Sequence, residues 1–163
     1  MTDDIELRPE AAPAAGAPVP PPVTLFAFVL AGFGLRHFLP LSLPIDRSLA
    51  LATGAAVLAF AVALGLASVR ALVRGGSNPH PRRPSEAIVE SGVYRVTRNP
   101  IYLSMTLILA GIALMARSGW HLVLALLFML AIHLTQIRRE ERYLEARFGE
   151  TYRAYARRVR RWL

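Results

Sequence analysis

The sequence predicts an all-α integral membrane protein, with about four transmembrane helices followed by a C-terminal amphipathic helix at the membrane interface. Of its 163 residues, 54% are hydrophobic and only 18% are charged, and the mean hydropathy is +0.39. A soluble domain has about 25% charged residues, so much of the apolar surface is expected to face lipid. Long apolar runs separated by clusters of arginine complete the pattern of a polytopic membrane protein.

Four apolar runs follow a polar N-terminal segment. Residues 1–22 are rich in proline and alanine and have an acidic start, which predicts a disordered leader. The remainder, 23–163, is expected to form a single domain. A helix that spans the bilayer needs about 20 apolar residues. The four runs are therefore expected to be the spans, the last two slightly short and paired as a tight hairpin: 23–43, 48–73, 100–116 and 120–137.

Residues 139–161 predict a different kind of helix. Leu144, Phe148, Tyr152 and Tyr155 recur at helical spacing, and arginines fill many of the other positions. This pattern is typical of a basic amphipathic helix that lies at the membrane interface. A plain anchor for the fourth span is the simpler alternative.

The arginines predict how the helices are oriented. The formal net charge is +8, and every one of the nineteen basic residues is arginine, concentrated in residues 70–98 and 134–163. Four spans put both clusters and both termini on one side, which the positive-inside rule makes the cytosol. We therefore expect a protein of the bacterial inner membrane whose termini and active site are cytosolic. Because the arginines border the spans, no nucleic-acid partner is expected.

The composition also limits the chemistry. The chain has no cysteine, which excludes disulfides, thiolate zinc sites and cysteine nucleophiles. Its four histidines, at positions 37, 80, 121 and 133, do not have the spacing of metal ligands. No metal site is therefore expected.

The first polar constellation is the segment from Glu86 to Tyr102. Pro100 suits the first position of a helix, because its missing N–H would be unpaired there. Asn99 then takes the N-cap position, and Tyr102 lies one turn into the helix at the headgroup level. Free N–H groups at a helix start favour a carboxylate or a phosphate. A capped helix start with an interfacial tyrosine is the simpler alternative.

The second polar constellation follows the fourth apolar run. Gln136 and Glu140 are four residues apart on one helix face, Glu141 is adjacent, and His133 continues the face. Acidic residues are rarer than arginine at a membrane edge, because arginine can extend its charge into water. The two glutamates therefore indicate either a site for a cationic or hydroxyl-rich ligand or local ion pairs with neighbouring arginines.

Together the two constellations resemble the motifs of a known family. The segment VESGVYRVTRNPIY, residues 89–102, resembles the G-x-Y-x-x-x-R-(H/N)-P-x-Y signature of integral-membrane methyltransferases. These include isoprenylcysteine carboxyl methyltransferases and phospholipid N-methyltransferases. The segment EERYLEARFGETYRAYARRV, residues 140–159, resembles their E-E-x-x-L-x-x-x-F-G-x-x-Y-x-x-Y pattern. The resemblance covers residues 80–163, about half of the chain.

The resemblance implies S-adenosylmethionine as the cofactor, bound at the cytosolic membrane edge. The cofactor carries a sulfonium and an ammonium, which suit an acidic residue and aromatic faces. By position, the resemblance implies cofactor contacts from residues of both constellations: Glu86, Ala87, Ile88, Val89, Tyr94, Asn99, Pro100, Ile101, Tyr102 and Glu140.

The resemblance also implies a lipophilic acceptor in the membrane. Gln136 stands where the isoprenylcysteine enzymes carry an arginine that meets the substrate carboxylate, so Gln136 is expected to contact the substrate here. An uncharged glutamine pairs less well with a carboxylate than arginine does. A neutral or amine-bearing acceptor, such as a phospholipid amine or an isoprenoid-type small molecule, is therefore favoured.

Catalytic roles stay open at this level. The candidates are Glu141, His133 and Arg98, and an amine or phenol acceptor would need Glu141 or His133 as a base. Two other functions share parts of the pattern. One is an NADPH-dependent membrane reductase of the sterol-reductase type, which has a similar helix start and tail, and the other is a non-enzymatic membrane protein. The oligomeric state is not indicated by the sequence.

Overall fold

The computed structural model describes residues 19–77 and 87–163, and these residues are helical with no named strand. A 3₁₀ turn, Gly92–Arg95, and a π-helical turn, His133–Ile137, lie among the helices. Six α-helices follow in chain order: α1 (Pro21–Phe38), α2 (Arg47–Arg74), α3 (Pro100–Met115), α4 (Gly119–Ile132), α5 (Arg138–Phe148) and α6 (Glu150–Arg158). The predicted all-α membrane fold is confirmed.

The first two helices are long and apolar enough to cross a membrane. α1 begins at Pro21, inside the segment predicted to be a disordered leader, and residues 1–18 of that segment lie outside the described residues. α2 has 28 residues. Its start is capped by Asp46, whose carboxylate accepts hydrogen bonds from the backbone N–H groups of Ser48 and Leu49.

α3 is shorter and packs along α2. Its 16 residues span roughly 24 Å, somewhat less than the hydrocarbon core of a bilayer. Gly54 of α2 and Gly111 of α3 allow close approach, since a Cβ atom at Gly54 would lie 2.9 Å from the Gly111 carbonyl oxygen. In the described residues, three helices are long enough to span a membrane: α1, α2 and the continuous helix Gly119–Phe148 that contains α4 and α5. α3 is a shorter fourth apolar helix.

The four-span topology puts the α1–α2 connection and the α3–α4 connection on the side opposite the termini, the outer side. These two connections lie together. Arg117, with φ of 49°, closes the hairpin between α3 and α4. The Leu43 N–H donates to the Arg117 carbonyl over 2.9 Å, and the Gly119 N–H donates to the Leu41 carbonyl over 2.8 Å. The start of α3 and the end of α4 consequently lie at the opposite end of the bundle.

The predicted C-terminal helix, 139–161, differs from the observed structure. No proline or glycine interrupts residues 120–148, and α4 continues through the π turn into α5 as one helix of 30 residues, Gly119–Phe148. That helix ends at Gly149, which adopts a φ of 53° that favours glycine. α6 then follows as a separate helix. Both α5 and α6 are amphipathic, with buried tyrosines on one face and exposed arginines on the other.

Large apolar side chains point outward along the spans. Phe26 is 63% exposed, Phe60 is 60% exposed and Leu126 is 69% exposed. Exposure of this kind is costly in water and favourable in lipid. The buried core is small and lies between α3 and α4, extending to the end of the π turn: Tyr102, Leu109, Ala125, Phe128, Ile132 and Ile137.

Candidate functional site

The two polar constellations meet where α3 begins. The chain that enters α3 runs beside residues 160–161, and the backbone N–H of Arg98 donates to the Arg160 carbonyl over 3.0 Å. The Thr97 hydroxyl donates to the Arg161 carbonyl over 3.2 Å. Residues 160–161 thus lie beside the start of α3, a contact that the sequence did not predict.

Asn99 occupies the N-cap position of α3, with Pro100 as the first helical residue, as predicted. Its side chain does not cap the helix, which corrects that part of the prediction. The Asn99 side-chain amide instead donates to the Arg161 carbonyl over 2.9 Å. Among the described residues, no side chain caps this helix start. The N–H groups of Ile101 and Tyr102 therefore receive no hydrogen bond from the side chain of Asn99.

One hydrogen bond joins the two constellations directly. The Tyr102 hydroxyl, on α3, donates to Oε1 of Glu140, on α5, over 2.5 Å. No other side-chain hydrogen bond or ion pair of Glu140 occurs within the ranges 19–77 and 87–163. The second carboxylate oxygen of Glu140 therefore has the capacity to accept from a ligand.

Tyr94 lies beside this pair. It is buried in the 3₁₀ turn, and the Tyr155 hydroxyl donates to its backbone carbonyl over 2.8 Å. Burial raises the pKa of Tyr94, and the neighbouring Tyr155 and Glu140 raise it further. The Tyr94 phenol is therefore neutral at physiological pH.

Glu141 has different surroundings from Glu140. Arg161 donates to both of its carboxylate oxygens, each over 2.8 Å. The Arg98 guanidinium lies 3.1 Å from Glu141 and also donates to the Tyr152 hydroxyl over 3.1 Å. Glu141 is therefore ion-paired, but its partners are Arg98 and Arg161 and not the neighbouring arginines that the sequence suggested, whereas Glu140 contacts a tyrosine.

The residues before the 3₁₀ turn lie against the end of α2. Val89 is 8% exposed and packs against the end of α2, where a Cβ atom at Gly75 would lie 2.5 Å from it. Ala87 and Ile88 are half-buried. Glu86 lies outside the described residues. The structure therefore places this stretch next to α2, and it shows no hydrogen bond from it to Glu140 among the residues described.

The π turn holds the two remaining predicted residues. The Gln136 side chain is buried, and its amide N–H donates to the Val19 carbonyl over 3.1 Å. Its amide oxygen is buried without a partner among the described residues, and so is Nδ1 of His133. π-helical turns within α-helices are frequent at functional sites. Both side chains therefore carry unused hydrogen-bonding capacity close to the end of α4.

Three contributors to the site were missed by the sequence reasoning: Thr97, Val19 and Arg161. Thr97 lies inside the first motif at a position that the pattern leaves variable. Nothing in the spacing separates Arg161 from the other eight arginines in residues 134–163. Only the tertiary structure, which returns residue 161 to the start of α3, identifies it. Across the described ranges, no group of three acidic or histidine side chains is placed to hold a metal ion.

The fold and this cluster define a membrane-embedded helical protein with a polar site at one end of its bundle. The model of the family described as phospholipid methyltransferase matches residues 49–151, and the chain belongs to that family of membrane methyltransferases. The resemblance seen in the two motifs is confirmed. An uncharacterized protein of Haemophilus influenzae is 44% identical over 63 residues, which are 39% of this chain and 100% of that protein. No solved structure matches the chain.

Proposed function

We propose that the protein transfers a methyl group from S-adenosylmethionine to a lipophilic acceptor in the membrane, either a phospholipid amine or an isoprenoid-type small molecule. The observation that carries this proposal is the meeting of Tyr102 with Glu140. It joins the two motifs at a helix start that no described side chain caps. The membership of the family supports methyl transfer in general.

The polar groups left free at the α3 start fit this cofactor. The N–H groups of residues 101 and 102, which no described side chain caps, suit its carboxylate, and the Glu140 oxygen without a partner among the described residues suits its amine or its ribose hydroxyls. When bound, the cofactor supplies a methyl group on a positively charged sulfur. The residues proposed to hold it are the ten implied by the motifs: Glu86, Ala87, Ile88, Val89, Tyr94, Asn99, Pro100, Ile101, Tyr102 and Glu140.

Gln136 is proposed to contact the acceptor. Because the Val19 carbonyl can only accept a hydrogen bond, the NH₂ group of Gln136 must face it, and the amide oxygen then points away. That buried oxygen needs a donor. An acceptor head that donates, such as an amine, satisfies it, whereas a carboxylate does not.

The three catalytic candidates differ in whether their present contacts leave them able to take a proton from the acceptor. Glu141 already accepts from Arg98 and Arg161, so its carboxylate is poorly placed to take a proton from an acceptor. Arg98 holds Glu141 and Tyr152. His133 has a ring nitrogen without a partner in the described part of the chain. We therefore favour His133 as the base and Arg98 and Glu141 as supports.

A binding experiment tests the cofactor. Calorimetry of the purified protein in detergent is expected to show binding of S-adenosylhomocysteine and none of NADPH. The opposite result would favour a sterol-reductase-type enzyme, and binding of neither would favour a non-enzymatic membrane protein.

To test the acceptor, the protein is incubated with methyl-labelled cofactor and a total membrane lipid extract. Label is expected in the organic phase, and label found only in water-soluble molecules would exclude a lipophilic acceptor.

The site is proposed to face the cytosol of a bacterial cell, with both termini on that side. The outer turns at residues 41–43 and 117–119 pair with each other, and the arginine-rich segments lie at the other end of the bundle. Reporter fusions at Ser118 and after Leu163 are therefore expected to report opposite sides of the inner membrane. Two fusions reporting the same side would overturn both the topology and the cytosolic site.

A further inference from the structure

The direction of the Glu140 side chain depends on how α5 is turned about its own axis. Because α5 continues α4 through the π turn as one helix, that direction is set by the helix as a whole and by the contacts that α5 makes with the rest of the chain. Glu140 and Glu141 are consecutive, and their side chains leave the helix about 100° apart. Any contact that fixes Glu141 therefore also fixes where Glu140 points.

Arg161 makes contacts of two kinds at this point. Its guanidinium grips both oxygens of Glu141 over 2.8 Å, the bidentate geometry that gives arginine pairs their directional hold. Its backbone carbonyl accepts from Thr97 and Asn99, which immediately precede α3. Arg161 thus adds a connection between α5 and the start of α3 beside the direct contact of Arg98 with Glu141.

The neighbours of Arg161 extend this connection. The Arg160 carbonyl accepts from the Arg98 backbone over 3.0 Å, and Trp162 packs against the apolar core that includes Tyr102. We call residues 160–162 the tail clasp. It contacts the start of α3 through backbone carbonyls and through the apolar surface of Trp162, and it is hydrogen-bonded to α5 through the Arg161 side chain.

We propose that Arg161 is a positioning residue of the site: by holding Glu141 against the start of α3, it keeps Glu140 within reach of a ligand bound there and so sets the affinity for the cofactor. Arg161 touches neither the cofactor nor the acceptor in this scheme. The identity of the ligand rests on the proposed function, whereas the positioning itself concerns only contacts within the chain.

Two measurements on the full chain in detergent test this role. Calorimetry with S-adenosylhomocysteine is expected to show about tenfold weaker binding for Arg161→Gln, which loses charge-assisted hydrogen bonds. Hydrogen exchange of the ligand-free protein is expected to show faster exchange across residues 97–103. Arg161→Lys keeps the positive charge but cannot bind both carboxylate oxygens in the bidentate geometry of arginine. Its affinity and its exchange rate are expected to lie between those of the wild type and Arg161→Gln. Arg153→Gln is the matched control, because Arg153 is half exposed and, among the described residues, pairs only with Glu145 and Glu150.

Each outcome has a definite meaning. If Arg161→Gln shows faster exchange but binds S-adenosylhomocysteine as tightly as the wild type does, the tail clasp stabilises the structure without affecting the affinity. That outcome would overturn the proposal. Unchanged exchange would overturn it as well. If Arg161→Gln melts near the assay temperature, the comparison of Arg161→Lys with Arg153→Gln decides, because both variants are conservative for the fold. A wild-type chain that binds no S-adenosylhomocysteine would instead contradict the proposed function.

Discussion

Replacing Glu140 with alanine is expected to weaken binding of S-adenosylhomocysteine by roughly tenfold or more. A hydrogen bond to a charged group contributes about 1.5–3 kcal/mol, and Glu140 is the carboxylate at the α3 start that no arginine neutralises in the described structure. Alanine also leaves the buried Tyr102 hydroxyl without its acceptor. Glu140→Gln keeps an acceptor for Tyr102 but removes the charge and replaces the other carboxylate oxygen with an NH₂ donor. It is expected to fold normally and still bind more weakly, as measured by calorimetry.

The control for this prediction lies on the same helix. Glu145 is 51% exposed and contacts only Arg153, over 3.4 Å, among the described residues. Exposed ion pairs contribute little, so Glu145→Ala is expected to bind as the wild type does. Equal and small effects at positions 140 and 145 would return the glutamate pair to a purely local ionic role and remove the main support for the cofactor site.

The helices were predictable because their signals are local. The apolar runs have the length that a bilayer imposes, and Pro100 marks the start of α3 because a proline fits that position. The break at Gly149 was not predicted. A glycine within an amphipathic pattern is compatible with either a continuous helix or a stop, and only the observed φ of 53° distinguishes them.

The general location of the site could be predicted from the sequence, but its individual side-chain contacts could not. Topology alone puts the start of α3 and the end of α4 at the same end of the bundle, which brings Tyr102 and Glu140 near each other. It does not decide which of two consecutive glutamates faces the tyrosine and which faces arginine. That choice depends on the rotation of α5 and on Arg161, which is distant in sequence from the start of α3. The same reason explains why the Asn99 side chain bonds to the tail instead of capping α3.

The site also depends on a contact far from it, at the crossing of α2 and α3. A Cβ atom at Gly54 would lie 2.5 Å from Cγ of Met115, 2.8 Å from the Met115 backbone nitrogen and 2.9 Å from the Gly111 carbonyl oxygen. Two of these three atoms belong to the backbone, so the added methyl cannot be accommodated by turning a side chain. Gly54→Ala must instead push α3 away from α2.

Gly54→Ala is therefore expected to destabilise the protein by about 1–3 kcal/mol, the usual cost of overpacking, and to lower the melting temperature in detergent. Because α3 carries Tyr102, the variant is also expected to bind S-adenosylhomocysteine more weakly. Gly34→Ala in α1 is the matched control. A Cβ atom there has nothing within 4 Å, and alanine favours a helix over glycine by about 1 kcal/mol. Equal melting temperatures for the two variants would contradict the tight crossing of α2 and α3 and, with it, the placement of the α3 start beside Glu140.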